Sequence, residues 1–566
     1  MKHRLPRLLV AASLALGLLT VPTVSSAAEG SDSAPTTAKE VVSAMQPGWN
    51  LGNSLDSLCC GADETTWGNP RIDAGLFQAI KKQGFHSVRI PVSWGNHTGP
   101  APDYLIDPAV MARVKEVVGM ALDAGLYVMI NVHHDSWQWV KDLPTKHDAV
   151  MAQYTATWTQ IADTFKDSST KLVFEPINEQ SFEGSSGPDA GHRYMAELND
   201  TFHRVVRSSG GNNADRLLVL PTLHTGADQA DMDALAADIS GLSDPMLAAT
   251  THNYGFWPFS TNIAGYTTYN AEVQKSLEAN FQSQVDTFVS HGIPVIIGEF
   301  GLMDNYQTNV ERGEYLKFFE DFGYLARTSG ITTMWWDNGT LFDRFTRTWR
   351  DQEQFDYIST GWTTRSATAS SDLVFVDATK KLNDASVTLN LNGLTFAQLR
   401  YGAGALKQGK DYALDGSSLT LKKSLLKRIL GDRMPGATAQ LQIGFSAGMP
   451  WKLNVISSAA PVLSAASGTT DASVVIPTAF NGDRLATMEA VYADGKNAGP
   501  ADWTSYKAFS ESFAPNYQDG TIQLTAQFLA AIDENRPVTL KFHFWSGQIV
   551  QYTITRTGTT VTGVAS

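Results

Sequence analysis

Lys171-Leu172-Val173-Phe174-Glu175-Pro176-Ile177-Asn178-Glu179 is a short apolar run that turns polar at its end, and the same plan recurs along the chain. Seven further runs share it: 48–51, 87–92, 127–132, 216–223, 248–252, 294–299 and 331–336. Most are rich in β-branched residues and read as buried strands. The stretches between them place apolar residues three and four positions apart over 73–83, 109–124 and 270–291, with Gly84, Gly125 and Gly292 as stop signals. Strand then helix, eight times over, predicts an α/β fold, a (β/α)8 or TIM barrel spanning 41–360. Asn53, Arg89, His133, Glu179, His252 and Glu299 fall at or just beyond the C-terminal ends of these runs. Barrel active sites form on that face.

Outward from the barrel the composition changes twice. Residues 361–371 hold a small-residue linker, Thr363-Thr364-Arg365-Ser366-Ala367-Thr368-Ala369-Ser370-Ser371. Beyond it apolar and polar residues alternate, as in Ser386-Val387-Thr388-Leu389-Asn390-Leu391-Asn392-Gly393, which predicts a small β-sandwich over 372–458. A break at Ala459-Ala460-Pro461 leads to a second β-sandwich over 462–566, with strands around Trp545-Ser546-Gly547. At the other end, Lys2, His3, Arg4 and Arg7 precede an apolar run, and small residues follow at 24–28. That pattern predicts a signal peptide over 1–28 and a secreted, extracellular protein. A membrane anchor is the rival, but the run is shorter than the ~20 apolar residues a bilayer needs.

The net charge of -14 and pI of about 5.3 argue against nucleic acid and anionic membranes as partners, since both select basic surfaces. A neutral ligand fits better. Aromatic residues make up 10% of the chain, with 14 Trp, and aromatic faces suit sugars because they pack against C–H groups without requiring charge. The chain is expected to be a monomer that needs no cofactor. Its two cysteines, Cys59 and Cys60, are adjacent. A strained vicinal bridge and two free thiols both remain open, but a disulfide framework and a structural zinc site do not.

Two carboxylates carry the chemistry. Glu179 ends the fourth run, and Glu299 ends the seventh in Ile297-Gly298-Glu299-Phe300-Gly301. A barrel brings such strand ends to one mouth, and retaining glycosidases need two carboxyl groups ~5–5.5 Å apart with different protonation states. Taken singly, each could be a capping or loop-end charge. Glu175 reads as a hydrogen-bond partner inside the barrel. His133-His134-Asp135 invites a metal reading, but if the third strand continues through the histidines they project to opposite faces, so no metal site is expected.

These motifs are similar to glycoside hydrolase family 5, and Gly48-Trp49-Asn50-Leu51-Gly52-Asn53 with Thr66-Trp67-Gly68-Asn69-Pro70 resembles its subfamily 4. The resemblance implies a retaining endo-β-1,4-glucanase acting on cellulose, mixed-linkage glucan or xyloglucan. It assigns the acid/base to Glu179 beside Asn178, and the nucleophile to Glu299. Arg89, His133, His134, His252, Tyr254 and Asn53 become substrate or transition-state contacts, and Trp336 the sugar platform, with Trp335 one residue away. The rivals are a β-mannanase of the same family and a non-catalytic glucan-binding protein. Asp411-Tyr412 with Gly416 and Thr420-Leu421 resembles X2 immunoglobulin-like modules, and Ala501-Asp502-Trp503 with Phe544-Trp545-Ser546-Gly547 resembles carbohydrate-binding module family 46. Trp503 and Trp545 are then the glucan-stacking candidates, with burial in the sandwich core as the alternative. Trp137, Trp139, Trp257 and Phe259 are candidate cleft walls.

Overall fold

Eight parallel strands close on themselves in sequence order: β1 (Gly48–Asn50), β2 (Ser87–Ile90), β3 (Tyr127–Asn131), β4 (Leu172–Glu175), β5 (Leu218–Pro221), β6 (Leu247–Asn253), β7 (Val295–Phe300) and β8 (Thr332–Trp335). The computed structural model describes residues 36–59, 63–185, 187–303 and 309–565. The expected signal peptide and Cys60 lie outside these residues. Trp49 pairs with Val88 on one side and Trp335 on the other, which closes the ring. Almost every strand residue is buried, as a barrel packed inside and out requires. No helix of the described residues is long and apolar enough to cross a membrane.

The helices begin where the sequence supplies caps. Asp73 accepts from Leu76 N at 2.9 Å ahead of the helix Ala74–Lys82, and Asn270 accepts from Glu272 N at 3.0 Å ahead of Ala271–Thr287. The expected helix over 270–291 breaks after Thr287 and finishes as a 3-10 turn, Val289–His291, stopped by Gly292 at φ +81°. The N-terminal helix Ala38–Ala44 packs Ala38, Val41 and Val42, with Met45 just beyond it, into a cluster with Met129, Val173, Val219 and Ile296. That cluster fills the floor of the barrel and leaves the C-terminal ends of the strands as the mouth.

Two sandwiches follow, each built from a four-stranded and a five-stranded sheet. In the first, Leu373–Asp377 pairs with Trp451–Ser458. In the second, Val538–Phe544 pairs with Ile549–Thr557. The stretch expected to be a linker is instead tied down. Thr368–Ala369 already forms a strand against Ala385–Asn390, and Arg365 binds Asp321 and Glu320 while lying 3.8 Å from the Tyr324 ring. Small residues give a loose tether only when their backbone stays solvated, and here Ser366 N donates to Glu320 Oε1 at 2.9 Å.

Candidate active site

Arg89, at full burial on β2, organises the mouth. Its guanidinium donates to Glu299 Oε1 at 2.6 Å, to Glu175 Oε2 at 2.9 Å, to Asn178 Oδ1 at 2.7 Å and to Asn50 Oδ1 at 3.1 Å. Only an arginine fork can meet four acceptors in such fixed directions. Burial works against its charge, but Glu175 and Glu299 outweigh that and hold it above its ordinary value. Tyr254 OH donates to the other oxygen of Glu299 at 2.6 Å. Burial, then Glu299, raises the phenol far above its ordinary range, so it stays a donor.

The pairing of β6 with β7 slips between Thr251 and His252, and that of β7 with β8 slips between Ile297 and Phe300. Such irregularities re-aim side chains at strand ends. A Cβ on Gly298 would stand 2.9 Å from Thr250 Oγ1 and 3.2 Å from His252 Nε2, so only glycine fits before Glu299.

Glu179 sits differently. Its φ is +42°, a conformation costly for a non-glycine residue, and its N–H donates to Thr225 Oγ1 at 3.0 Å. Its side chain keeps 45% exposure against 5% for Glu299, so one carboxyl is open to exchange and the other is fixed. His252 Nδ1 lies 2.7 Å from Glu179 Oε1 and 3.8 Å from Glu299 Oε2, and one oxygen from each glutamate lies within 4.8 Å of the other. Burial raises Glu179, but the His252 hydrogen bond and charge, helped by Arg89, bring it below its ordinary value. Burial lowers His252, but Glu299 and Glu179 more than compensate and raise it. Glu179 and His252 thus form a hydrogen-bonded pair in which each favours the charged form of the other.

His133 and His134 do not project to opposite faces. β3 ends at Asn131, His134 adopts a helical conformation, and the two rings lie 4.4 Å apart, forming with Asp56 a cluster whose ligand atoms fall within 4.8 Å. The proton positions decide what this cluster can hold. Asn131 Nδ2 donates to His133 Nδ1 at 3.0 Å, its orientation set by Val92 N donating to Asn131 Oδ1 and by Nδ2 donating to Glu175. Trp137 Nε1 donates to His134 Nδ1 at 3.0 Å. His133, accepting at Nδ1, therefore carries its proton on Nε2 as a donor for a hydroxyl group, whereas the Nε2 of His134 is buried and faces Asp56 Oδ2 at 3.5 Å. Burial, with the nearby Arg89 charge adding to it, keeps His133 far below its ordinary value and hence neutral.

Trp336 is partly exposed at the end of β8 and stacks parallel to His133, with centroids 6.1 Å apart. Gly52 makes room for it, since a Cβ there would come within 2.6 Å of the indole. Trp335 is buried and stacks on Trp349. Asn53 is held by its backbone, its N–H donating to Asp56 Oδ2 at 3.0 Å and its carbonyl accepting from Asn69 Nδ2 at 2.8 Å. Among the candidate walls, Trp137 and Trp257 are about half exposed, Phe259 is buried, and Trp139 is tied to Asp135. Trp503 is 59% exposed and faces Trp257 across 6.3 Å, so it belongs to no sandwich core. Trp545 instead lines a crevice between the last sandwich and the barrel, beside Asn262, Arg312 and Arg484. Asn50 and Asn131 hold the site together and were not among the expected residues. Their signal was a polar side chain inside an otherwise apolar strand.

A family model described as cellulase (glycosyl hydrolase family 5) matches residues 54–341. The carbohydrate binding domain X2 model matches 368–455, and the CBM46 carbohydrate binding domain model matches 459–564. Endoglucanase B of Paenibacillus lautus is 50% identical over 537 residues, covering 94% of each chain. The full-length tri-modular endo-β-1,4-glucanase B of Bacillus halodurans superposes with a TM-score of 0.91 at 43% identity, over 94% of this chain and 100% of that one. A tri-modular subfamily 4 endo-β-1,4-glucanase of Bacillus licheniformis, in complex with cellotetraose, gives a TM-score of 0.77 at 30% identity, over 94% and 99%. With one model matched over half its length and a relative aligned along nearly all of it, the chain belongs to glycosyl hydrolase family 5, a glycoside hydrolase whose barrel is followed by an X2 and a family 46 carbohydrate-binding domain.

Proposed function

We propose that the protein is a secreted endo-β-1,4-glucanase that cleaves by double displacement with retention of anomeric configuration. The observation that carries this reading is the spacing and asymmetry of the two glutamates: oxygens within 4.8 Å, one carboxyl clamped by Arg89 and Tyr254, the other open and linked to His252. Inverting enzymes hold their carboxyls ~6.5–9.5 Å apart to admit a water, which this gap is too short to do.

Glu299 attacks the anomeric carbon while Glu179, taking the proton it shares with His252, delivers it to the departing glycosidic oxygen. The bond to that oxygen breaks as the ester to Glu299 forms. A water then enters, Glu179 removes its proton, and the ester is cleaved with a second inversion. Because Arg89 occupies Asn178 Oδ1, the Asn178 amide group is left to donate to the sugar 2-hydroxyl as the oxocarbenium-like charge develops. Trp336 supports the sugar before the cleavage point, and the Nε2–H of His133 orients its hydroxyls.

The substrate class is supported by the relatives, one named an endoglucanase and one an endo-β-1,4-glucanase, and by the Trp257–Trp503 pair. Trp257 starts only three residues after Tyr254, so Trp503 prolongs the cleft from the last module and fits a polymer, whether cellulose, mixed-linkage glucan or xyloglucan. Removal of the last module is expected to reduce turnover on decorated polymer more than on short oligosaccharides. Equal losses on both would leave the module only a stabilising role. The mechanism is tested by proton NMR of the first product: the β-anomer should appear before mutarotation, and initial α-anomer refutes double displacement.

A further inference from the structure

Trp503 stands on a loop that a single lysine holds closed. Lys507 is entirely buried, which is rare for this residue type without a compensating set of partners. Its ammonium donates to Pro500 O at 3.0 Å, Ala501 O at 3.2 Å and Thr504 O at 2.8 Å. Three N–H donors meet three backbone carbonyls, all from the five-residue stretch that carries Trp503. The same loop is pinned by Asn497 Nδ2 on Asp502 O at 2.7 Å and by Thr504 N on Ala501 O at 3.2 Å, and Ala501 takes a φ of +54° to let its carbonyl turn inward. Lys507 is anchored in turn, its N–H donating to Met488 O at 2.9 Å. With the carbonyls drawn inward, the Trp503 indole is directed out toward Trp257.

We infer that Lys507 is a positioning residue for polymer hydrolysis: its ammonium gathers the 500–504 carbonyls and so fixes Trp503 at the edge of the cleft. This rests on the cleft-extension reading above. Without the ammonium, three buried carbonyls lose their partner, and the loop regains them only by opening to water. The bulk of the last module has its own core of Val474, Ile476, Phe513, Ile522, Leu540 and Tyr552, and does not depend on this loop.

The amine is also sensitive to pH. Burial brings it down to about 8, opposed by the facing charge of Asp502. On the neighbouring strand Leu485–Tyr492, Glu489 is engaged by His543, Lys541 and Ser505. As pH rises past about 8 the ammonium becomes an amine with two N–H donors for three carbonyls.

The test is a double-mutant cycle read as the ratio of kcat/KM on xyloglucan or mixed-linkage glucan to that on a short cello-oligosaccharide. Trp503→Ala is expected to lower this ratio about tenfold, in line with loss of one aromatic platform, and Lys507→Met to reproduce most of that loss. In the Trp503→Ala background, Lys507→Met should then change the ratio little, because coupled residues do not add. In the unmutated enzyme the ratio should fall above about pH 8, a readout that needs no variant to fold. An intact ratio in Lys507→Met, or a full additive loss on top of Trp503→Ala, overturns the inference alone. An intact ratio in Trp503→Ala overturns the cleft-extension reading and the inference with it.

Discussion

Among the described residues, two of the places where carboxyl groups meet have surroundings that send them to opposite fates. At the barrel mouth Glu299 receives Arg89 and Tyr254, and Glu179 receives His252, so each acid has a donor of its own. At the junction of the barrel with the two sandwiches, Glu311 faces Asp372. Glu311 also caps the helix Arg312–Ser329 by accepting from Gly313 N at 2.8 Å. The adjacent Arg312 is taken by Asp351 and Glu353, and Arg484 acts on Asp372 only through its charge. Burial, then the Asp372 charge, pushes Glu311 up to about 9, and burial raises Asp372 as well. The junction pair therefore holds together by retaining a proton, whereas the mouth pair is built to pass one on. The supply of buried donors, more than the proximity of two acids, separates a pair with a donor for each acid from one that must keep a proton.

Breaking the mouth pair should have the largest effect. Glu299→Gln is expected to lower kcat by about 10⁴-fold or more, since it removes the attacking atom. Glu179→Gln should cost about 10²–10⁴-fold on polymer and much less on an aryl glycoside whose leaving group needs no proton. Steady-state kinetics on both substrates separates the two roles, and equal losses would contradict the asymmetry. Arg89→Lys keeps a charge but cannot fork to Glu299, Glu175 and Asn178 together, so kcat should drop about 10²-fold or more while thermal stability falls by roughly 3 kcal/mol, as for a broken buried pair.

A smaller effect sharpens the comparison through pH. Since His252 is raised and Glu179 lowered, loss of the shared proton sets the alkaline limb of kcat/KM. His252→Asn is expected to move that limb toward acid by about one unit or more, leaving the limb controlled by Glu179 alone. An unmoved limb would show that the pair does not share its proton.

The smallest effect belongs to the junction. Glu311 has a folded value above its ordinary 4.5, so the folded protein holds a proton that the unfolded chain releases. Its contribution is complete below about 4.5, declines as pH rises, and is gone once pH passes about 9. Melting temperature measured across that window should fall less steeply for Glu311→Gln, whose amide can donate to Asp372 at any pH. An identical slope in both proteins would place the titration elsewhere.

The barrel was legible because its strands are buried on both faces and its helices carry Asp73, Asn270 and Gly292 as start and stop signals. The meeting of Glu179 and Glu299 was legible because a barrel assigns strand ends to one mouth. Other features depend on contacts that local pattern does not encode. Asn50 and Asn131 were hidden inside runs read as apolar, and His133 and His134 share a side only because the β3 ladder stops at Asn131. Arg365 converts a stretch with linker composition into part of the barrel–sandwich junction. The Trp257–Trp503 approach joins residues on separate domains, and a lysine as buried as Lys507 has no signature in a sequence.

The most direct measurement is to trap the reaction halfway. Incubation with a 2-deoxy-2-fluoro cello-oligosaccharide bearing a good leaving group, followed by proteolysis and peptide mass spectrometry, should find the sugar esterified to Glu299, and no adduct in Glu299→Gln. An adduct on Glu179 or any other residue, or an enzyme that turns over glucan yet never accumulates a covalent species, would contradict the account.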